Sequence, residues 1–234
     1  RFLVHDRPIE RNVDDSVARI IGDREMLLRR GRGYAPLPLP IGRTAPRMLA
    51  VGAQQKSAIA LSLGAQALVS QHIGDLETAE ANAAFHRVIE SLESIYDYVP
   101  AMIACDLHPN YMSTAYARKL DAPVFAVQHH FAHVLACMAD NDLDGPVLGI
   151  SWDGSGYGLD GTIWGGELLR VDRDGFSRFA HLRTFRLAGG EQAIREPRRS
   201  AIGLLHEIWG ARLFERDPAG IAARFSDEER SILN

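Results

Sequence analysis

Lysine is nearly missing from this chain of 234 residues: only Lys56 and Lys119 are present. Arginine carries most of the positive charge, and acids outnumber bases, for a formal net charge of −4 and a pI near 6.1. That balance lacks the basic footprint of a nucleic-acid-binding surface, so no nucleic-acid partner is expected. Cysteine is just as scarce. Cys105 and Cys137 sit in apolar stretches and read as buried free thiols, which suits a reducing compartment better than a disulfide scaffold. No apolar run approaches the roughly 20 residues that span a bilayer, and no secretory signal is recognisable. A cytoplasmic protein without a membrane partner is expected. What the chain does have is 46% hydrophobic residues, enough for one full core or two small ones. It starts at Arg1 rather than Met and ends on Ser231-Ile232-Leu233-Asn234, which reads as a piece of a larger protein.

Residues 1–30 read as a short tail with a strand-like start, Arg1-Phe2-Leu3-Val4, and charged loops at His5-Asp6-Arg7 and Asp14-Asp15-Ser16. In 31–47 glycine, arginine and the alternating Pro36, Pro38 and Pro40 favour an extended linker and a domain boundary. A first lobe then runs over 48–145. It has buried strands at 48–52, 57–63 and 66–70, and a helix over 78–98 with Ala84, Val88, Leu92 and Ile95 on one face. A strand at 101–105, a helix at 111–120, a strand at 124–127 and a helix at 129–139 complete it. A second lobe, 146–234, opens in the same way. It has a buried strand at 147–152, strands at 161–164 and 167–172 turning at Gly165-Gly166, a further strand over 176–185 and a helix over 191–209. The repeated β-β-β opening predicts a duplicated α/β fold with a ligand cleft between the halves.

Val127-Gln128-His129-His130-Phe131-Ala132-His133 places three histidines in five residues after a predicted strand. On a helix, His129 and His133 share a face one turn apart and can grip a single divalent metal. A zinc peptidase would need Glu directly after the first histidine as its base. His130 stands there, so peptidase chemistry is excluded, and His130, which points elsewhere on the helix, is a candidate for contact with substrate or for support of the ligands from behind. Asp153 ends a buried strand, where α/β folds present ligands. It would complete a two-histidine, one-carboxylate set with coordination positions left open, although Asp-Gly also makes ordinary turns. The run Gly154-Ser155-Gly156-Tyr157-Gly158 could lay backbone N–H groups against a phosphate, or simply turn a hairpin. His72, in Ser70-Gln71-His72-Ile73-Gly74-Asp75, and Lys56, after the Gly52 turn, are further candidate catalytic groups. Asp106-Leu107-His108-Pro109-Asn110 reads as a strand-end loop in which Asn110 or a neighbour caps the next helix.

These residues together resemble the HypF family of hydrogenase-maturation carbamoyltransferases. The resemblance rests on Arg32-Gly33-Tyr34-Ala35-Pro36, Ser70-Gln71-His72-Ile73-Gly74-Asp75-Leu76, the segment 106–114, the histidine run 127–133 and the segment 153–167. They fall in family order across most of 31–170. The tail resembles the end of that family's YrdC-like domain, and the remainder its carbamoyl-transfer domain. The fold this implies is α/β, a duplicated ribonuclease-H-like arrangement of the actin/Hsp70-like ATPase type with an incomplete second lobe. The implied activity makes carbamoyl-adenylate from carbamoyl phosphate and ATP, then transfers the carbamoyl group to the C-terminal cysteine of HypE. The resemblance also implies a divalent metal, zinc or iron, at His129, His133 and Asp153, and nucleotide contact at 154–158. Two features depart from the family: Phe131 stands where a further histidine is usual, and the family's second metal aspartate lies beyond residue 234. Two other readings compete. One is an O-carbamoyltransferase of natural-product synthesis with an alcohol acceptor. The other is an Hsp70-like nucleotide-binding module without transfer chemistry.

Overall fold

The computed structural model describes residues 3–9, 11–190, 192–216 and 220–233. Its first regular element is a hairpin, β1 (Val17–Ile21) and β2 (Arg24–Arg29). Gly22 and Asp23 turn it, both at positive φ, 56° and 60°, a two-residue geometry whose twist suits antiparallel strands. The expected tail therefore contains paired strands, and the apolar-then-Gly-Asp pattern was the signal for them. Leu3 and Val4 lie outside any strand and are exposed, and Arg1 and Phe2 fall outside the described residues. The expected linker is also ordered. Its β3 (Pro38–Pro40) pairs with Gln66, Ala67 and Leu68. Prolines are tolerated there because an edge strand need not donate on both sides.

The main sheet adds β4 (Met48–Ala50), β5 (Ala60–Leu63), β6 (Gln66–Val69), β7 (Met102–Asp106) and β8 (Val124–Val127). Its order is β3-β6-β5-β4-β7-β8. The first four strands run antiparallel, and β4, β7 and β8 run parallel. Helix α1 (Ala79–Ile95) is capped by Thr78, whose hydroxyl accepts from the Ala81 N–H at 3.2 Å. It buries Phe85, Ile89 and Leu92 against Leu49, Leu61 and Ile103 of the sheet. The expected apolar face was rotated: Val88 is only partly covered and Ile95 is 52% exposed. The next helix, α2 (Met112–Ala117), is shorter than expected.

Helix α3 (His129–Asp140) leaves the main sheet directly after β8 and packs on a second, antiparallel sheet. That sheet comprises β9 (Val147–Tyr157), β10 (Ile163–Asp172) and β11 (Gly175–His181), in the order β11-β10-β9. Val134 of α3 joins Trp164, Leu169 and Val171 in its core. Two glycines of β9 allow the close approach. A Cβ on Gly149 would lie 2.5 Å from Val134, and one on Gly156 2.5 Å from His130. Gly165 and Gly166 do not turn the chain as expected. They lie within the continuous β10, where its register against β9 shifts. An antiparallel three-strand unit therefore opens each lobe, but in the second the expected strands 161–164 and 167–172 are one strand, and β11, expected only as a further strand, is the third.

The expected 191–209 helix is two pieces, α4 (Gln192–Arg195) and α5 (Pro197–Trp209). Pro197 separates them because it lacks the N–H that a continuous helix needs. Glu191 falls outside the described residues. With α6 (Leu213–Arg216) and α7 (Asp227–Leu233) they close around Ile202, Leu213 and Phe225. Cys105 is buried as expected, but Cys137 is exposed, on the side of α3 that faces a groove beside β9. Among the described residues no helix is long and apolar enough to cross a membrane.

Candidate metal centre

Gln128 starts α3 as its N-cap: its side-chain oxygen accepts from the Phe131 N–H at 2.9 Å. The helix therefore begins at His129, and His133 stands one turn on, with the two rings 4.8 Å apart. The close seating of α3 on β9 brings both to Asp153. The His129 and His133 Nε2 atoms are 3.2 Å apart, and Asp153 Oδ2 lies 3.2 Å from the first and 3.8 Å from the second. Bonds of about 2.0–2.1 Å to a tetrahedral ion would set its ligand atoms roughly 3.3 Å apart, so these three donors fit one divalent cation. Among the described residues this is the cluster of histidine and carboxylate groups able to hold one. His133 is 54% exposed, which leaves the outer side of the site open.

The charges are strongly coupled. The Asp106 carboxylate, and after it Asp153, hold the His129 imidazole protonated up to about 9. Its hydrogen bond to His129 pulls Asp153 down to about 2. Burial, then the neighbouring His129 charge, lowers His133. Asp106 was expected to lie in a strand-end loop, without a partner named for it. Instead it ends β7, almost fully buried, with Oδ2 2.6 Å from His129 Nδ1. Its position at the carboxyl end of a parallel strand was the available signal. His108, two residues on, stacks on Tyr111 at 4.1 Å and meets Tyr157 edge-on at 5.2 Å. Burial raises Tyr111, with Asp106 and Asp153 adding to it. Asn110 does not cap α2. The Met112 N–H donates instead to the Gln54 side-chain oxygen, 2.8 Å away.

The other expected groups are placed differently. His130 is fully buried, its Nδ1 3.0 Å from the Gln128 amide and its ring near Trp164, so it seats α3 on the second sheet and does not face the cleft. His72 follows β6, its backbone N–H donating to Arg30, and burial and then Arg29 lower its pKa. Lys56 has φ 49° and donates its backbone N–H to Asp75. Its charge adds the smallest of the contributions that act on His72 and His133. The expected glycine loop is not a loop. Gly154, Ser155, Gly156 and Tyr157 continue β9, and Gly158 closes the hairpin to Thr162 at 2.8 Å. Gly156 and Gly158 leave room for His130 and Trp164 respectively. Beneath them, Arg178 grips the buried Glu167 through two bonds of 2.6 and 2.9 Å and lies 4.0 Å over the Trp164 ring.

Residues 43–140 match the family described as "HypF Kae1-like domain", and residues 149–233 that described as "Carbamoyltransferase, Kae1-like Domain, second subdomain". With the duplicated fold, these matches define the class: a Kae1-like domain of the actin/Hsp70-like type, with a histidine–aspartate cluster where its two subdomains meet. A crystal structure of full-length HypF in the phosphate- and nucleotide-bound form aligns at TM-score 0.89 and 39% identity, over 99% of this chain and 36% of that one. The T. kodakarensis HypF structure aligns at 0.79 and 35%, over 88% and 27%. Carbamoyltransferase HypF of Synechocystis sp. is 45% identical over 100% of this chain, and that of Rhizobium leguminosarum bv. viciae 43% over 87%. The chain belongs to the HypF family. It spans 30% and 27% of the length of these two relatives.

Proposed function

We propose that this chain is the carbamoyl-transfer part of a HypF-type carbamoyltransferase of nickel–iron hydrogenase maturation. The donor is carbamoyl-adenylate, made from carbamoyl phosphate and ATP, and the acceptor is the C-terminal cysteine thiol of HypE. The observation that carries this reading is the His129–His133–Asp153 cluster, set where the two Kae1-like lobes meet. His129, His133 and Asp153 would hold zinc or iron(II), which when bound supplies polarisation and orientation of the carbamoyl carbonyl. The exposed side of His133 leaves room for the donor. Lys56 offers positive charge to its phosphate, and the backbone around 154–158 lines the nucleotide side. The His72 imidazole is neutral at pH 7 and takes the thiol proton. The thiolate attacks the carbamoyl carbon, a C–S bond forms, the C–O bond to AMP breaks, and AMP leaves with the electron pair. AMP is a good leaving group, so holding donor and thiolate in line contributes more than acid catalysis. A cytoplasmic location, without nucleic-acid or membrane partners, goes with this role.

The test is to purify the wild-type protein and the His129→Ala and His133→Ala variants, and to measure bound metal and carbamoylation of HypE. Loss of both is expected. Metal content unchanged in both variants overturns the site.

A further inference from the structure

We propose that Asp106 is a positioning residue of this centre: its carboxylate decides which nitrogen of His129 carries the proton, and so aims Nε2 at the metal position. The inference rests on the metal-site reading above.

Asp106 is held from every side. It ends β7 opposite Val127 of β8 in parallel register, and its backbone carbonyl accepts from the Thr114 hydroxyl of α2 at 3.1 Å. Of its carboxylate oxygens, Oδ1 accepts from the His108 N–H at 2.8 Å and Oδ2 lies 2.6 Å from His129 Nδ1. With one oxygen pinned by a backbone amide and the residue only 7% exposed, the carboxylate has little freedom to turn away. An ionised carboxylate only accepts, so Nδ1 must carry hydrogen. In the neutral ring the lone pair is then on Nε2, the atom that lies 3.2 Å from both His133 Nε2 and Asp153 Oδ2. One buried side chain thus selects the tautomer and fixes the ring plane. No comparable partner holds Nδ1 of His133 among the described residues. His129 is therefore the preorganised ligand and His133 the adaptable one. Carboxylates that hold metal-bound histidines in this way typically matter about 10- to 100-fold in metal affinity.

Asp106→Asn keeps the size and an oxygen for the His108 N–H, but turns an NH₂ group towards Nδ1 and so favours the wrong tautomer. Asp106→Ala removes the partner. Zinc affinity of the full chain is measured by chelator competition for wild type and both variants, with circular dichroism of the metal-free forms. Nitrogen-15 histidine spectra of the zinc-loaded wild type are recorded alongside. The expected result is zinc binding about 10- to 100-fold weaker in both variants, the Asn variant at least as weak as the Ala variant, without loss of fold. His129 should carry its proton on Nδ1 and zinc on Nε2. Wild-type affinity in both variants, or an unprotonated Nδ1 in the loaded wild type, overturns this inference alone. If neither variant folds, the wild-type spectrum decides it. A wild type that binds neither zinc nor iron(II) overturns the metal-site reading, and this inference with it.

Discussion

Raising the pH from 7 to the plateau above about 9 should tighten zinc binding at His129, His133 and Asp153 about a hundredfold. In the metal-free protein, Asp106 and Asp153 keep His129 protonated up to about 9. A metal ion needs the Nε2 lone pair, so binding must release one proton. At pH 7 that proton sits about 2 units below its pKa, and each unit is worth about 1.36 kcal/mol. Displacing it therefore costs about 2.7 kcal/mol, or roughly 100-fold in affinity. The other two ligands add no slope. His133 is lowered from its ordinary value and is already neutral at pH 7, and Asp153, pulled down to about 2, is ionised throughout. The logarithm of the affinity should rise by one per pH unit from 7 and flatten above about 9. Chelator-buffered zinc titrations across this range would measure the slope. Calorimetry in two buffers of different ionisation enthalpy would count the proton, with one released per zinc expected near pH 7.5. A flat affinity, or no proton released, would refute the idea that the two carboxylates hold His129 charged.

Two further outcomes test how the site is supported. Arg178→Ala leaves the buried Glu167 carboxylate without its two-bond partner and should cost about 3–5 kcal/mol in urea unfolding, the usual penalty for breaking a buried pair; a loss below about 1 kcal/mol would mean that the pair behaves as a surface one. Gly156→Ala places a Cβ 2.5 Å from the His130 ring and 3.0 Å from the His129 Cβ. It should destabilise by about 1–3 kcal/mol and weaken zinc binding as α3 is pushed off β9; unchanged stability with unchanged affinity would contradict that packing.

The pairing of His129 with His133 was legible because its logic is local. Histidines four apart on a helix share a face whatever the fold, and Gln128 at the N-cap marks where that helix begins. The repeated three-strand opening was legible as runs of apolar residues. The misses came from residues whose roles are set by distant partners. The glycines around Asp153 suit either a phosphate-binding run or a hairpin turn, because glycine permits tight turns and close approach, and local sequence does not separate the two. Two of them are needed instead where α3 and Trp164 press against β9 and its hairpin. His130 was open to substrate contact or to a supporting role beside the ligands, and the helix turns it into the second core, which leaves only the supporting role. Pro38–Pro40 was read as a linker because prolines resist sheets, yet a sheet edge accepts them.

The sequence alone determined the identity and spacing of the histidines, the two-lobed α/β plan and the family resemblance, because periodicity and motif order are carried along one stretch of chain. Only the tertiary structure decided that Asp153 lies within about 3–4 Å of both histidine nitrogens, and that Asp106, 23 residues before His129, grips it from the other side. Those distances depend on α3 lying across β9 and on β7 running beside β8, long-range packing that no local pattern of residues encodes.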